Sequence, residues 1–268
     1  METSCSASGG NTLAGNTIIG VPFEAETMRS LIIDQPAAPV LDEAEIRRRL
    51  FKIRAADSSG HRSSASILIN RMYATRGYHA NPLPAEDVPD RITLTASDRD
   101  AVIGTISIGF DSPIGLLCDE LYMEEINVLR DKGWRVCEFT KLAIDSVVRS
   151  KRVLASLFHV AYIYAHRIKG FHQLVIEVNP RHVRYYERML GFQVAGPRRM
   201  NRRVSAPAVL MSLDFYHARD QIARLGGCPE MAESDRSLYP FFFSVAEEAG
   251  IVGRLRFSDS SASAFAPL

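Results

Sequence analysis

Glu138 lies in the apolar run Val136-Cys137-Glu138-Phe139, and a carboxylate in such surroundings has the chemistry of a general base. Burial of a carboxylate on such a strand would disfavour the charged form and let it accept a proton from an ammonium, directly or through water. The competing reading is an ion pair with Lys141 or Arg135. Thr140 shares the strand face of Glu138 and can order a water or serve simply as a strand former. Lys141 falls on the opposite face of a regular strand, unless a bulge brings it round. Tyr185 and Tyr186 can protonate a leaving group or pack with satisfied hydroxyls, and Tyr186 is the favoured donor.

Two basic groups are suited to anions. Arg149, Lys151 and Arg152 precede an apolar helix, and Arg198, Arg199, Arg202 and Arg203 crowd the segment GPRRMNRRV. Each can bind phosphate or an acidic partner, or form a solvated loop. The seven histidines lack metal-ligand spacing, and the four cysteines lie far apart with no C-x-x-C pair, which argues against metal catalysis, a zinc site or a disulfide framework. Cys137 adjoins Glu138 but faces away from it on a regular strand.

The elements that must position these residues follow from the pattern. Residues 1–45 are rich in small and polar side chains and read as a disordered leader. A strand at Leu50–Ala55, a helix at Ser64–Tyr73, a loop through Asn81–Pro84 and a hairpin of Arg91–Ala96 with Ala101–Phe110 come next. A helix at Asp119–Arg130, a strand at Arg135–Ile144 and a buried helix at Val153–Ile168 follow. Leu174–Val178 is an apolar strand running into a helix that Asn179 and Pro180 start and Gly191 closes. Ala208–Phe215 supplies a further strand and Tyr239–Leu255 a last helix. The mixture predicts an α/β or α+β sheet flanked by helices, in one domain over 46–225, with a helical extension over 226–268.

Length and composition set outer limits. With 268 residues, 46% hydrophobic and 24% charged, the chain can bury a core. A net charge of +1 gives no general case for nucleic acid or a membrane surface. No apolar run approaches the roughly 20 residues that cross a bilayer, and the first residues lack a secretory pattern, so a cytoplasmic protein is expected.

LVIEVNPRHVRYYERMLGF, residues 174–192, resembles the strand-turn-helix of GNAT-superfamily acyltransferases, in which a tyrosine lies near the acyl thioester. Glu138-Phe139-Thr140-Lys141 resembles the E-x-[ST]-[RK] strand of autoinducer (acyl-homoserine-lactone) synthases and of their relatives, the long-chain N-acyl amino acid synthases of FeeM type. GLLCDELYMEEINVLRDKG stands at the corresponding upstream place, and LYPFFFSVAEEAGI is similar to the tail of the synthase group. The likeness covers roughly residues 50–215. It departs from the autoinducer synthases at residues 69–78, where their Arg, Phe and Trp set is missing. Tyr186 precedes Gly191 by five positions, where common acetyltransferases use four.

The resemblance implies a GNAT-like fold, with a central mixed and mostly antiparallel sheet, and transfer of a long-chain acyl group to the α-amine of an amino acid. Glu138 would be the base and Tyr186 the acid, with Thr140, Lys141, Arg71 and Tyr78 around the acceptor. No glycine occurs between Gly133 and Gly170, where acetyl-CoA enzymes carry the glycine-rich loop that cradles pyrophosphate. The expected donor is therefore acyl-phosphopantetheine on acyl carrier protein, bound through Arg149, Lys151 and Arg152 and docked on Arg198, Arg199, Arg202 and Arg203. No tightly bound cofactor or metal and no membrane span is expected, although an acylated product would partition into lipid. The rival readings are an acyl-CoA-dependent acetyltransferase and a non-catalytic acyl-carrier or acyl-chain binding module.

Overall fold

The computed structural model describes residues 17–23, 50–79, 81–86, 88–148 and 150–263, with residues 257–263 described by their backbone. Among them nine strands form one sheet: β1 (Thr17–Pro22), β2 (Leu50–Ala55), β3 (Arg91–Asp98), β4 (Ala101–Phe110), β5 (Val136–Ile144), β6 (Gln173–Val178), β7 (Gln193–Val194), β8 (Arg199–Asn201) and β9 (Ala206–Asp214). The order is β1-β2-β3-β4-β5-β6-β9-β7, with β8 also on β9. Every pairing is antiparallel except β5 with β6. A parallel pair needs a crossover, and α3 (Lys151–Tyr162), prolonged as a π-helical turn over Ile163–Ile168, supplies it.

Strand parity assigns the two faces. Phe139, Leu174, Ile176 and Met211 join Val153, Leu157 and Phe158 of α3 in the main core. On the reverse face, Val136, Val175 and Leu210 pack against Tyr122 and Ile126 of α2 (Asp119–Asp131), while Leu68, Ile69 and Met72 of α1 (Ser59–Ala74) cover Ala143. Glu138 and Glu177 share the parity of Val136 and Val175, so both carboxylates start on the α1–α2 face. β5 and β6 carry apolar residues on both faces because both faces are covered.

The structure revises several sequence expectations. Thr17–Pro22, inside the expected leader, is an edge strand on β2, and Ile18 and Val21 are buried; residues 1–16 and 24–45 lie outside the described residues. The first helix starts five residues before the expected Ser64. Its first turn is polar, and the hydroxyl of Ser58, accepting from the amide of His61, marks the start instead of apolar periodicity. Ala206–Asp214 ends one residue before Phe215, because Asp214 accepts from the amide of Tyr216 and begins α5 (Phe215–Leu225), a helix not anticipated. Tyr239–Phe241 is a 3-10 turn, and the last helix, α6, runs over Val245–Ser263.

The C-terminal extension is built into the main core rather than appended to it. Arg152 donates to the carbonyl of Phe241 at 2.7 Å, and the amide of Phe243 donates to Nδ1 of the fully buried His159 at 2.9 Å. Nε2 of that imidazole then faces Glu248 of α6 at 3.2 Å, and Arg167 donates to the other oxygen of the same carboxylate. Burial holds His159 below the usual imidazole range despite this partner, which keeps one nitrogen free to accept from Phe243.

Candidate active site

β5 and β6 pair only over Val136↔Gln173, Cys137↔Leu174 and Glu138↔Val175. Past that point β5 stays with β4 and β6 stays with β9, so the two strands splay and their facing backbone edges have no strand partner. A bulge drives the divergence. Ser107 pairs with Thr140 and Thr105 with Ala143, which leaves one extra residue on β5. Lys141 takes the left-handed conformation at φ 50°, and the hydroxyl of Thr105 donates to its carbonyl at 2.8 Å.

A cavity of about 390 Å³ fills the wedge. It is walled by Phe139 to Leu142 of β5, Ile176 to Val178 of β6, the residues following α1, and the β8–β9 turn. The bulge brings Lys141 into the lining, as the sequence reading allowed, and Nζ donates to the carbonyls of Asn81 and Pro82 at 3.1 and 3.2 Å. Burial, with Arg91 nearby, lowers the Lys141 pKa.

Glu177 is the carboxylate that lines this cavity. Its side chain is 11% exposed; Oε1 accepts from Asn201 at 3.2 Å and Oε2 accepts from Arg203. Burial drives its pKa up to about 7; Arg203 opposes the rise and the charge of Glu138 adds to it. Tyr186 also lines the cavity, and burial pushes its phenol to about 12. Its helix, α4 (Val183–Leu190), ends at Gly191 as the sequence indicated but starts three residues after Pro180, because Asn179 and Pro180 open a 3-10 turn over Pro180–His182 instead. Asn179 accepts from the amide of Arg181, Gly191 adopts φ 78°, and the Phe192 ring stands edge-on to Tyr186 at 5.7 Å. Tyr185 is absent from the lining, and burial raises its phenol further.

Glu138, expected as the base, is absent from the lining and is already engaged. Oε1 accepts from Arg91 Nη2 at 2.9 Å and from the amide of Leu117 at 3.0 Å, while Oε2 accepts from the amide of Cys118 at 3.1 Å. An ion pair was the competing reading for this residue; its partner is Arg91 on β3, which no local sequence pattern pointed to. Gly109, opposite Glu138 in the ladder, makes room for the pair, since a Cβ there would stand 2.8 Å from Glu138 Oε1.

The remaining expected residues divide. Thr140 lines the cavity and accepts weakly from Arg91 at 3.4 Å, and Tyr78 lines it with its hydroxyl accepting from Arg181 at 3.1 Å. Arg71 is not in the lining; it pairs with Asp145 at 2.6 Å on the surface. Arg149 lies outside the described residues. Arg152 is buried on the Phe241 carbonyl, and Lys151 stands over the Phe241 ring, so the expected phosphate group is spent partly on holding the C-terminal segment. Arg199 pairs with Glu125 and lies over Tyr122, and Arg203 pairs with Glu177 and Glu120, whereas Arg198 and Arg202 are exposed.

Sequence reasoning missed Glu177, although a single charge inside the apolar run LVIEV was a legible signal of a buried ionisable group. Arg91 and Asn201 carried no such signal. Among the described residues no group of three or more His, Cys, Asp or Glu side chains could hold a metal ion, and no helix is long and apolar enough to cross a membrane.

The family model described as N-acyl amino acid synthase FeeM matches residues 64–214. Among solved structures, FeeM, an N-acyl amino acid synthase from uncultured soil microbes, aligns at 26% identity and a TM-score of 0.58, covering 65% of this chain and 94% of that one. An acetyltransferase of the GNAT family from Streptococcus pneumoniae aligns at 16% identity and a TM-score of 0.44, covering 61% and 99%. The AHL synthase LasI aligns at 12% and 0.41, covering 63% and 90%. Comparison with curated proteins gives no match.

Proposed function

From the premise that this chain belongs to the FeeM family of N-acyl amino acid synthases, acyltransferases of GNAT fold, we propose a donor, an acceptor and a division of labour at the site. The donor is a long-chain acyl group on the phosphopantetheine of acyl carrier protein, and the acceptor is the α-amine of an amino acid. The observation that carries the mechanism is the placement of Glu177 in the wedge, with its carboxyl raised to about 7.

A base with that pKa is half ionised near neutral pH, where proton transfer from an ammonium is most effective. Glu177 takes one proton from the acceptor, and the freed amine attacks the thioester carbon. The C–N bond forms as the C–S bond breaks, and the second amine proton leaves with the thiol. Tyr186, held protonated by its pKa of about 12, donates a hydrogen bond to the departing sulfur. The unpaired edges of β5 and β6 suit an extended pantetheine arm, whose amides would bond as an added strand does. Glu138 serves as a positioning residue, tying Arg91 and the start of α2 to β5.

A carrier-bound donor is supported by the connection between β5 and α3. It has no glycine, it contains Asp145, and the amide of Val147 there already donates to that carboxylate at 3.1 Å. Ser150 caps the amide of Val153 at the start of α3. A pyrophosphate cradle needs such amides free. The exposed Arg198 and Arg202 are the charges left for an acidic carrier. The test is incubation with long-chain acyl carrier protein, or with the matching acyl-CoA, and a pool of amino acids, followed by mass spectrometry. N-acyl amino acids from the carrier support the reading; turnover with acyl-CoA alone contradicts the donor, and carrier binding without turnover favours a binding module.

A further inference from the structure

We propose that Arg76 is the anchor for the α-carboxylate of the acceptor, the contact that makes the enzyme select amino acids over simple amines. The proposal rests on the amino-acid reading above and adds to it the residue that recognises the acid group.

Four cationic side chains line the cavity: Arg76, Arg91, Lys141 and Arg203. Three are engaged. Arg91 holds Glu138, Arg203 holds Glu177 and Glu120, and Lys141 donates to two carbonyls. Arg76 is half-buried and its guanidinium has no ion pair or hydrogen bond among the described residues. A partly desolvated cation without a counter-charge is unfavourable, and an anionic ligand relieves it.

The backbone fixes this residue even though its side chain is unpaired. α1 ends at Ala74, Gly77 turns left-handed at φ 71°, and the amides of Gly77 and Tyr78 bond back to the carbonyls of Ala74 and Tyr73 at 3.0 Å each. That closure sets Arg76 and Tyr78 on the wall of the wedge. Arg76, His182 and Tyr186 line the same cavity, which puts the guanidinium in the chamber that holds the phenol assigned to the departing sulfur.

This position selects carboxylate over phosphate. The phosphate of a pantetheine arm lies at the end opposite its sulfur, so a cation in the chamber that holds Tyr186 serves the sulfur end of the arm. An amino acid whose nitrogen attacks the thioester has its carboxylate two bonds from that nitrogen, close to the same point. Glu177 and Arg76 in one cavity therefore present opposite charges to the two charged groups of a zwitterion. An Arg fork binds a carboxylate through two parallel hydrogen bonds.

The test compares leucine and phenylalanine with leucinamide and phenylalaninamide, using the wild type, Arg76→Ala and Arg76→Lys with the same acyl donor. The wild type is expected to favour acid over carboxamide by about 10- to 100-fold in kcat/KM. Arg76→Ala should erase that ratio through KM for the acid, with the carboxamide within about threefold of wild type, and Arg76→Lys should restore part of it. The ratio is taken within one preparation, so partial misfolding does not move it. An unchanged ratio in Arg76→Ala, or equal loss on both acceptors, overturns the assignment. A wild type that acylates neither amino acid but acylates other amines overturns the amino-acid reading itself, and that result is seen before any variant is compared.

Discussion

Glu177→Gln should stabilise the protein while abolishing its base. The carboxyl moves from 4.5 to about 7 on folding, so its ionised form is disfavoured in the native state. At about 1.4 kcal/mol for each tenfold change in proton affinity, ionised Glu177 costs roughly 3 kcal/mol at pH 8. With a side chain 11% exposed, solvent screens little of this. The native state binds more protons than the unfolded chain between 4.5 and about 7, so the penalty is full above 7 and fades as pH falls through that window. Roughly 3 kcal/mol is an upper limit, because the variant weakens the hold on Arg203, which keeps Glu120 at 3.2 Å. Thermal melts of wild type and variant at pH 8 and pH 5 provide the assay. The variant should melt higher at pH 8, by up to roughly 10 °C, with the gap shrinking to under about 1 kcal/mol at pH 5. A gap independent of pH, or a variant less stable at pH 8, would refute the reasoning.

Three further outcomes follow from the site. Tyr186→Phe should lower kcat about 100-fold with little change in melting temperature, measured in single-turnover acyl transfer. Glu138→Gln should destabilise by about 2–4 kcal/mol in denaturant, since Arg91 loses its counter-charge and one of the two accepting oxygens becomes an NH2 that cannot accept; turnover should persist, with its acid limb moved to lower pH by removal of a like charge from Glu177. Gly109→Ala places a Cβ 2.8 Å from Glu138 Cγ and should cost about 1–3 kcal/mol, read by the denaturation midpoint.

Local chemistry made much of this fold legible. The hairpin, the two apolar strands, the Asn179-capped turn and the Gly191 end of the helix after it each follow from side chains within one or two turns of the position concerned. β1 was hidden because Thr17–Pro22 is stabilised by a partner 28 residues or more away, not by its own pattern. The site was half legible for a related reason. Glu138 was singled out from its apolar neighbours, yet its state is set by Arg91 and the Leu117 and Cys118 amides, which reach it from other elements. Parity alone could have paired it with Glu177, since Glu138 and Val175 are in register and Glu177 is two residues on. Arg152 looked like a phosphate ligand because its carbonyl acceptor, Phe241, is remote in sequence.

The most direct test of the central claim is kcat/KM for acyl transfer against pH in the wild type, Glu177→Gln and Glu138→Gln. The expected result is an acid limb near pH 7 in the wild type, its loss together with at least a 100-fold drop in rate in Glu177→Gln, and retention of a limb in Glu138→Gln. A Glu177→Gln enzyme that keeps both the limb and the rate, while Glu138→Gln loses them, would contradict the account and return the role of base to Glu138.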